Sequence, residues 1–349
     1  MNTPLIFDGH NDVLLKQFLG GRAARTEFST GNDFHIDVPK AKAGGFGGGF
    51  FAIWVPSPLD EGGIIDQMMQ PEYDIPMPPK VEQGEALGVA MKQARMLAAL
   101  ESDGALKICT SVADITKTMQ SGTMAAIMHM EGAEPIDRDL DALHVLYRAG
   151  LRSLGPVWSR TTIFAEGVPF RFPSTGDTGP GLSPAGYDLV RECNALGIML
   201  DMSHLNEKGF WNVVETSDAP IVATHSNAYE ICPHARNLTD DQLRTIGQSG
   251  GMVGLNFATG FLRPDGQMKP EVPLEIMLRH LDHMISLAGE DHVGLGSDFD
   301  GATVPEAIGD ISGLPNLRAA MVAHGYDDAL MEKLCFGNWL ALLERTWKP

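Results

Sequence analysis

Short apolar runs recur along this chain at Leu5–Phe7, Phe50–Val55, Ala125–Met130, Leu151–Leu154, Ile198–Asp201, Ile221–Ala223, Met252–Leu255 and Val293–Leu295. Each has the length of a strand. Helical signals lie between several of them. Ser183-Pro184 offers an N-cap followed by proline at the first helical position, and Gly197 stops that helix. Thr239 precedes Asp240-Asp241-Gln242-Leu243, with a stop at Gly250-Gly251. Pro273 to Ala288 carries apolar residues at helical spacing and ends at Gly289, and Ala329 to Trp347 reads as another amphipathic helix. Eight strands with interleaved helices predict an α/β chain folded as a (β/α)8 TIM-type barrel, with an open doubly wound sheet as the alternative.

Two stretches break the rhythm. Pro56 to Pro79 is rich in Pro, Met and Gly, and Ser159 to Leu182 in Pro, Gly and Thr. Both follow strand ends, so in a barrel both overhang the face where catalysis occurs. No linker, repeat or low-complexity tract divides the chain, and residues 1–349 read as one domain.

Polar residues collect at the C-terminal ends of the predicted strands. His10 and Asp12 follow the first, Glu131 ends the third, His204 and His225 follow the fifth and sixth, and Asp298 ends the eighth. Residues two apart on a strand share a face, so His10 and Asp12 can reach one ion together. A single histidine after a strand is more often a cap or a core residue; six such coincidences at one face are not explained that way. Three imidazoles and two or three carboxylates suit zinc or a similar divalent ion. Glu131 is the candidate bridge between two ions, and Asp298 the candidate proton acceptor and donor.

Composition narrows the partners. The net charge of -19 argues against nucleic acid and anionic membrane surfaces. Met1-Asn2-Thr3-Pro4 shows no basic stretch leading into an apolar run, and no apolar segment nears the ~20 residues of a membrane helix. Cys109, Cys193, Cys232 and Cys335 are widely spaced, so reduced buried thiols and a cytosolic address are expected. Met68, Met69 and Met77 offer a pocket lining or a subunit contact, with plain packing the leading reading; a homodimer stays open as an assembly.

The motifs Phe-Asp-Gly-His10-Asn-Asp12, Met-Glu131-Gly, Asp-Met-Ser-His204, His225-Ser226-Asn227-Ala228-Tyr229, Arg236-Asn237 and Gly-Ser-Asp298-Phe-Asp-Gly301 occur in this order from Leu5 to Gly301. Together they resemble the membrane (renal) dipeptidase family of zinc metallopeptidases, in the amidohydrolase superfamily. The resemblance implies a (β/α)8 barrel with two Zn2+ ions per chain. It implies hydrolysis of dipeptides, often with a D-residue accepted at the C-terminal position, by attack of a metal-bridging hydroxide. Carried over, His10 and Asp12 would bind one ion, His204 and His225 the other, Glu131 both, and Arg236 the substrate's terminal carboxylate. Other amidohydrolase chemistry on N-acyl-amino acids, β-lactams or lactones is the rival activity, and a non-catalytic metal-bound barrel the rival class.

The chain departs from the family at one place. Where the family usually carries a substrate-binding histidine, it reads Gly155-Pro156-Val157-Trp158. An indole donates one hydrogen bond and does not ionise. Trp158, a candidate substrate-binding residue, therefore cannot do that job in the same way, and Arg160 is the candidate to supply a positive donor. Asp8 is either a deeper carboxylate orienting His10 or a barrel residue. His129 is expected to be structural, His234 to lie on the surface, and Asp300 to support its loop.

Overall fold

Eleven strands run through residues 4–57 and 62–348, which the computed structural model describes. They are β1 (Ile6–Asn11), β2 (Phe46–Trp54), β3 (Tyr73–Ile75), β4 (Leu106–Ile108), β5 (Met124–Glu131), β6 (Leu151–Gly155), β7 (Phe170–Phe172), β8 (Met199–Leu200), β9 (Val222–Ala223), β10 (Met252–Leu255) and β11 (Val293–Leu295). Eight of them fall on the apolar runs. The other three are three-residue strands with a polar centre, too short for any periodicity to mark.

The strands form a curled parallel sheet. One sheet runs β1-β2-β5-β6-β8, with β4 beside the first half of β5, and a second runs β11-β10-β9. A parallel bridge between Asp201 and Val222 links the sheets at one edge, and one between Asn11 and Phe299 links them at the other. Every residue of β1, β2 and β5 is buried, as expected of parallel strands covered by helices on one side and packed side chains on the other. Trp339 plugs the sheet's interior at the N-terminal end of the strands, packed among Phe7, Phe50, Ile127, Met199, Val222 and Met252. Its indole N–H donates to Leu295 O at 2.9 Å, so a large apolar ring is buried with its one polar atom satisfied.

The local signals hold. Ser183 Oγ accepts from Gly186 N at the start of helix Pro184–Leu196, and Gly197 caps its end in the left-handed region. Thr239 and Gln242 form a reciprocal capping box at the start of Asp240–Gln248. The C-terminal stretch is less regular than its pattern suggests. It breaks into Asp328–Glu332, a π turn at Lys333–Gly337, and Asn338–Thr346. Such a bulge inserts a residue and re-aims the next turn of helix, which here carries Trp339.

The two irregular stretches meet above the strand ends. β3 and β7 pair antiparallel, with Tyr73 opposite Phe172. Tyr73 Oη donates to Gly266 O at 2.7 Å, and Met268 N donates to Met68 O at 2.9 Å. Segments after β2, β6 and β10 are thereby tied into one cover. Residues 58–61 of the first stretch lie outside the described residues. No helix among the described residues is long and apolar enough to cross a membrane.

Candidate active site

Sheet curvature gathers the strand ends, and with them the polar residues. His10 Nε2 lies 3.4 Å from Asp12 Oδ2 and 3.6 Å from Glu131 Oε1. His204 Nε2 and His225 Nε2 lie 2.9 and 3.4 Å from that same Glu131 oxygen and 3.1 Å from each other. Gly132, next in sequence to Glu131, has φ 92°, and a Cβ there would sit 2.3 Å from Glu134 Oε2; only glycine makes this turn. Asp298 closes the set. Its backbone is left-handed (φ 62°), its N–H donates to His10 O at 3.0 Å, and Asn256 Nδ2 donates to its Oδ2 at 3.0 Å.

The donors fit divalent cations. Both ring nitrogens of the fully buried His10 lack hydrogen-bond partners among the described residues, an arrangement that costs free energy unless something else binds them. His225 has a fixed tautomer. Thr224 Oγ1 gives its only proton to Asp201 Oδ2 at 2.6 Å, so the 2.8 Å contact with His225 Nδ1 requires the imidazole to donate there. Its Nε2 lone pair then faces Glu131. Ser159 Oγ lies 2.9 Å from His204 Nδ1 and orients that ring. Orienting a ligand histidine through its far nitrogen is common in metal sites. Donor atoms form three compact groups among the described residues: His10, Glu131 and His225; His10, Asp12 and Asp298; and His10, His129 and Asp201.

Electrostatics points the same way. Burial pushes the Glu131 carboxyl well above its ordinary range, against the pull of His10. Burial would push His10 down, but Glu131 and Asp12 raise it to about 10. Burial, with Arg236 and His10 nearby, holds His204 and His225 well below their usual value and hence neutral. The carboxylates hold one positive charge on His10 beside two neutral imidazoles, and a cation taking that place would reverse the penalty on ionising Glu131. Burial and then Asp12 raise Asp298 to about 6.

A cleft of about 190 Å³ opens over these groups. Its floor is Asp12, Glu131, His204 and Asp298; one wall is Trp54, Trp158, Phe170 and Phe261; Met68 and Met268 belong to the cover. Trp158 meets Trp54 and Phe170 edge to face, with ring centroids 5.1 and 5.6 Å away, and lies 5.9 Å from the His204 ring. It is an apolar wall beside a candidate ligand.

Arg160 does not line this cleft. Its Nε donates to Glu134 Oε1 at 2.9 Å, Nη1 to Ser57 Oγ at 3.0 Å and Nη2 to Val55 O at 2.8 Å, and its side chain is 0% exposed. This differs from the expected substrate donor: the fork is used up tying the segments after β2 and β6 together. Arg236 is buried, donates to the carbonyls of Ser203 and His225, and brings Nη2 within 3.5 Å of His204 Nε2. Asp240 and Asp241, on the helix that follows it, pair with Arg244 and not with Arg236.

Asp8 does not touch the His10 ring nitrogens. It accepts from Ser297 N at 2.7 Å and Ser297 Oγ at 2.8 Å, fastening β1 to the segment after β11. Asp300 accepts from His35 N at 2.8 Å and supports its loop as expected. His129 is a buried neighbour of the site, bonded to Ser153 Oγ at 2.8 Å. His234 is not at the surface. It is fully buried among Tyr73, Phe172 and Phe261, because the β3–β7 pair closes over it.

Ser159, Thr224, Asn256 and Lys16 escaped the sequence reading. Asn256 stands directly after β10, the strand-end position that marked the other site residues. The hydroxyls carry no comparable signal, since their partners lie up to 45 residues away in sequence.

A metal-dependent hydrolase is the class this donor set and curled sheet define. The membrane dipeptidase model, peptidase family M19, matches residues 1–348, and the chain belongs to that family. A metallopeptidase from Rhodobacter sphaeroides, solved with a phosphinate mimic of the dipeptide L-Ala-D-Ala, is 54% identical; the match covers 99% of this chain and 100% of that one, with a TM-score of 0.97. The solved structure of the M19 metallopeptidase dipeptidase AC is also 54% identical, with 99% of each chain covered and a TM-score of 0.97. An uncharacterized protein in the pqqA 5′ region of Klebsiella pneumoniae is 45% identical across 76% of this chain and 98% of its own length. The chain is a metallo-dipeptidase.

Proposed function

We propose that this dipeptidase works as a (β/α)8 barrel with two divalent ions, zinc by the character of the donors, one held by His10 and Asp12 and the other by His204 and His225, with Glu131 shared. The observation that carries this reading is the convergence of three imidazole nitrogens within 3.6 Å of one Glu131 oxygen. The bridges at both edges of the two sheets support the closed barrel. Bound there, the ions supply a Lewis acid for the scissile carbonyl and acidify water.

The chain's own residues do the rest. Asp298, ionised above about pH 6, accepts the proton of the attacking water and returns it to the leaving amine. Arg236 holds the substrate's α-carboxylate on the His204 side; its Nε has no partner among the described residues. Trp158 and its aromatic neighbours pack the substrate and exclude water. The L-Ala-D-Ala mimic bound by the Rhodobacter sphaeroides relative supports acceptance of a D-residue at the C-terminal position here. Four free, buried cysteines are in keeping with a cytosolic setting.

Metal content and activity of Glu131→Gln test the shared position. Both ions should be lost together, with turnover of L-Ala-D-Ala; loss of one ion alone overturns the bridge.

A further inference from the structure

Lys16 stands where the chemistry described so far gives it no task. It lies on the first helix, Val13–Thr30, one turn past Asp12, and is half-buried at the edge of the cleft. Among the described residues it is the one basic side chain lining that cleft, and it has no hydrogen bond or ion pair there within 4.0 Å. Asp300 feels its charge, which opposes the effect of burial on that carboxyl, but forms no ion pair with it within 4.0 Å. Asp300 accepts from His35 N, and Asp298 accepts from Asn256. A lysine spends side-chain entropy when it is half-buried, and it does so here with no ion pair within 4.0 Å among the described residues.

Its place relative to Arg236 suggests its partner. Arg236 approaches the donor set from the His204 side, within 3.5 Å of that imidazole. Lys16 lines the cleft together with Asp12, four residues before it in sequence. A dipeptide anchored by its α-carboxylate at Arg236, with its peptide bond over the metal-binding residues, carries its amino-terminal residue toward Asp12, Asp298 and Lys16. The ammonium of that residue meets carboxylates. Its side chain reaches the edge of the cleft, where the available group is the Lys16 ammonium.

We propose that Lys16 reads the side chain of the amino-terminal residue and selects dipeptides that begin with aspartate or glutamate. This inference rests on the dipeptidase reading and on Arg236 anchoring the other end. A hydrogen-bonded ammonium–carboxylate contact discriminates an acid from its neutral amide by about ten- to a hundredfold.

The test compares isosteric substrates on the metal-loaded enzyme: kcat/KM for L-Glu-D-Ala against L-Gln-D-Ala, with L-Ala-D-Ala as the reference. The wild type should favour the glutamyl substrate about tenfold or more. Lys16→Met should bring that ratio close to one, and Lys16→Glu should reverse the order of L-Glu-D-Ala and L-Lys-D-Ala. Metal content measured in parallel shows whether each variant retains its centre. A wild-type ratio near one, or a ratio that survives Lys16→Met, overturns the assignment while cleavage of L-Ala-D-Ala leaves the dipeptidase reading standing. Failure to cleave any of these dipeptides overturns both.

Discussion

Replacing Arg160 separates a buried support from a substrate contact. Its guanidinium makes three hydrogen bonds, to Glu134, Ser57 and Val55, and the pair's side chains are 0% and 1% exposed. Breaking a buried ion pair from one side strands the other charge and costs ~3–5 kcal/mol. Unfolding entropy near 2.1 cal/mol/K per residue gives ~0.7 kcal/mol/K for 349 residues. A loss of ~4 kcal/mol therefore lowers Tm by ~5 °C. Arg160→Met, followed by thermal and denaturant unfolding at fixed metal concentration, should show this shift. The loss should also depend on pH. Burial already raises the Glu134 carboxyl, with Arg160 opposing, so removing the arginine raises it further. A carboxyl raised in the folded state carries no penalty below its unfolded value and the full penalty above its folded one. The deficit should therefore be larger at pH 8 than at pH 5. Adding Glu134→Leu should recover part of the stability and flatten the pH dependence. An unchanged Tm with KM raised tenfold or more would refute the argument and return Arg160 to the substrate.

Four further outcomes are expected. A methyl at Gly301 would lie 2.1 Å from Asp12 Oδ2 and 2.5 Å from Asp298 Oδ1, so Gly301→Ala should lower metal occupancy and turnover with little change in circular dichroism; normal metal content and rate would contradict the geometry. Asp298 must be ionised to accept a proton, and its carboxyl is raised to about 6, so kcat/KM should fall on the acid side at or below that pH, since bound cations shift the limb downward. Asp298→Asn should keep the metals and lose ~10²–10⁴-fold in kcat, and near-normal turnover rules it out as the base. Arg236→Ala should reduce kcat/KM on free dipeptides by ~10- to 100-fold and far less on amidated ones; equal losses on both would assign it to the fold, through its bonds to the Ser203 and His225 carbonyls.

Eight strand positions, the helix caps at Ser183 and Thr239, and the six polar residues at strand ends were legible in the sequence. Each is a local property: an apolar run, a hydroxyl before a helix, or a charged residue where a strand stops. The partners of those residues were not legible. Nothing near Trp158 says that Arg160, two residues on, turns away from the cleft to meet Glu134, or that Ser159 between them turns toward His204. His234 reads as a surface residue until β3 and β7, each only three residues long, pair over it from loops about a hundred positions apart. Lys16 reads as one helix residue among many until the curl of the sheet sets the first helix beside Asp298 and Asp300. Residue type and strand register determine which groups can reach the mouth of the sheet. Which of them face one another there, and which are consumed by buried partners, depends on how distant segments pack, and only the tertiary structure decides that.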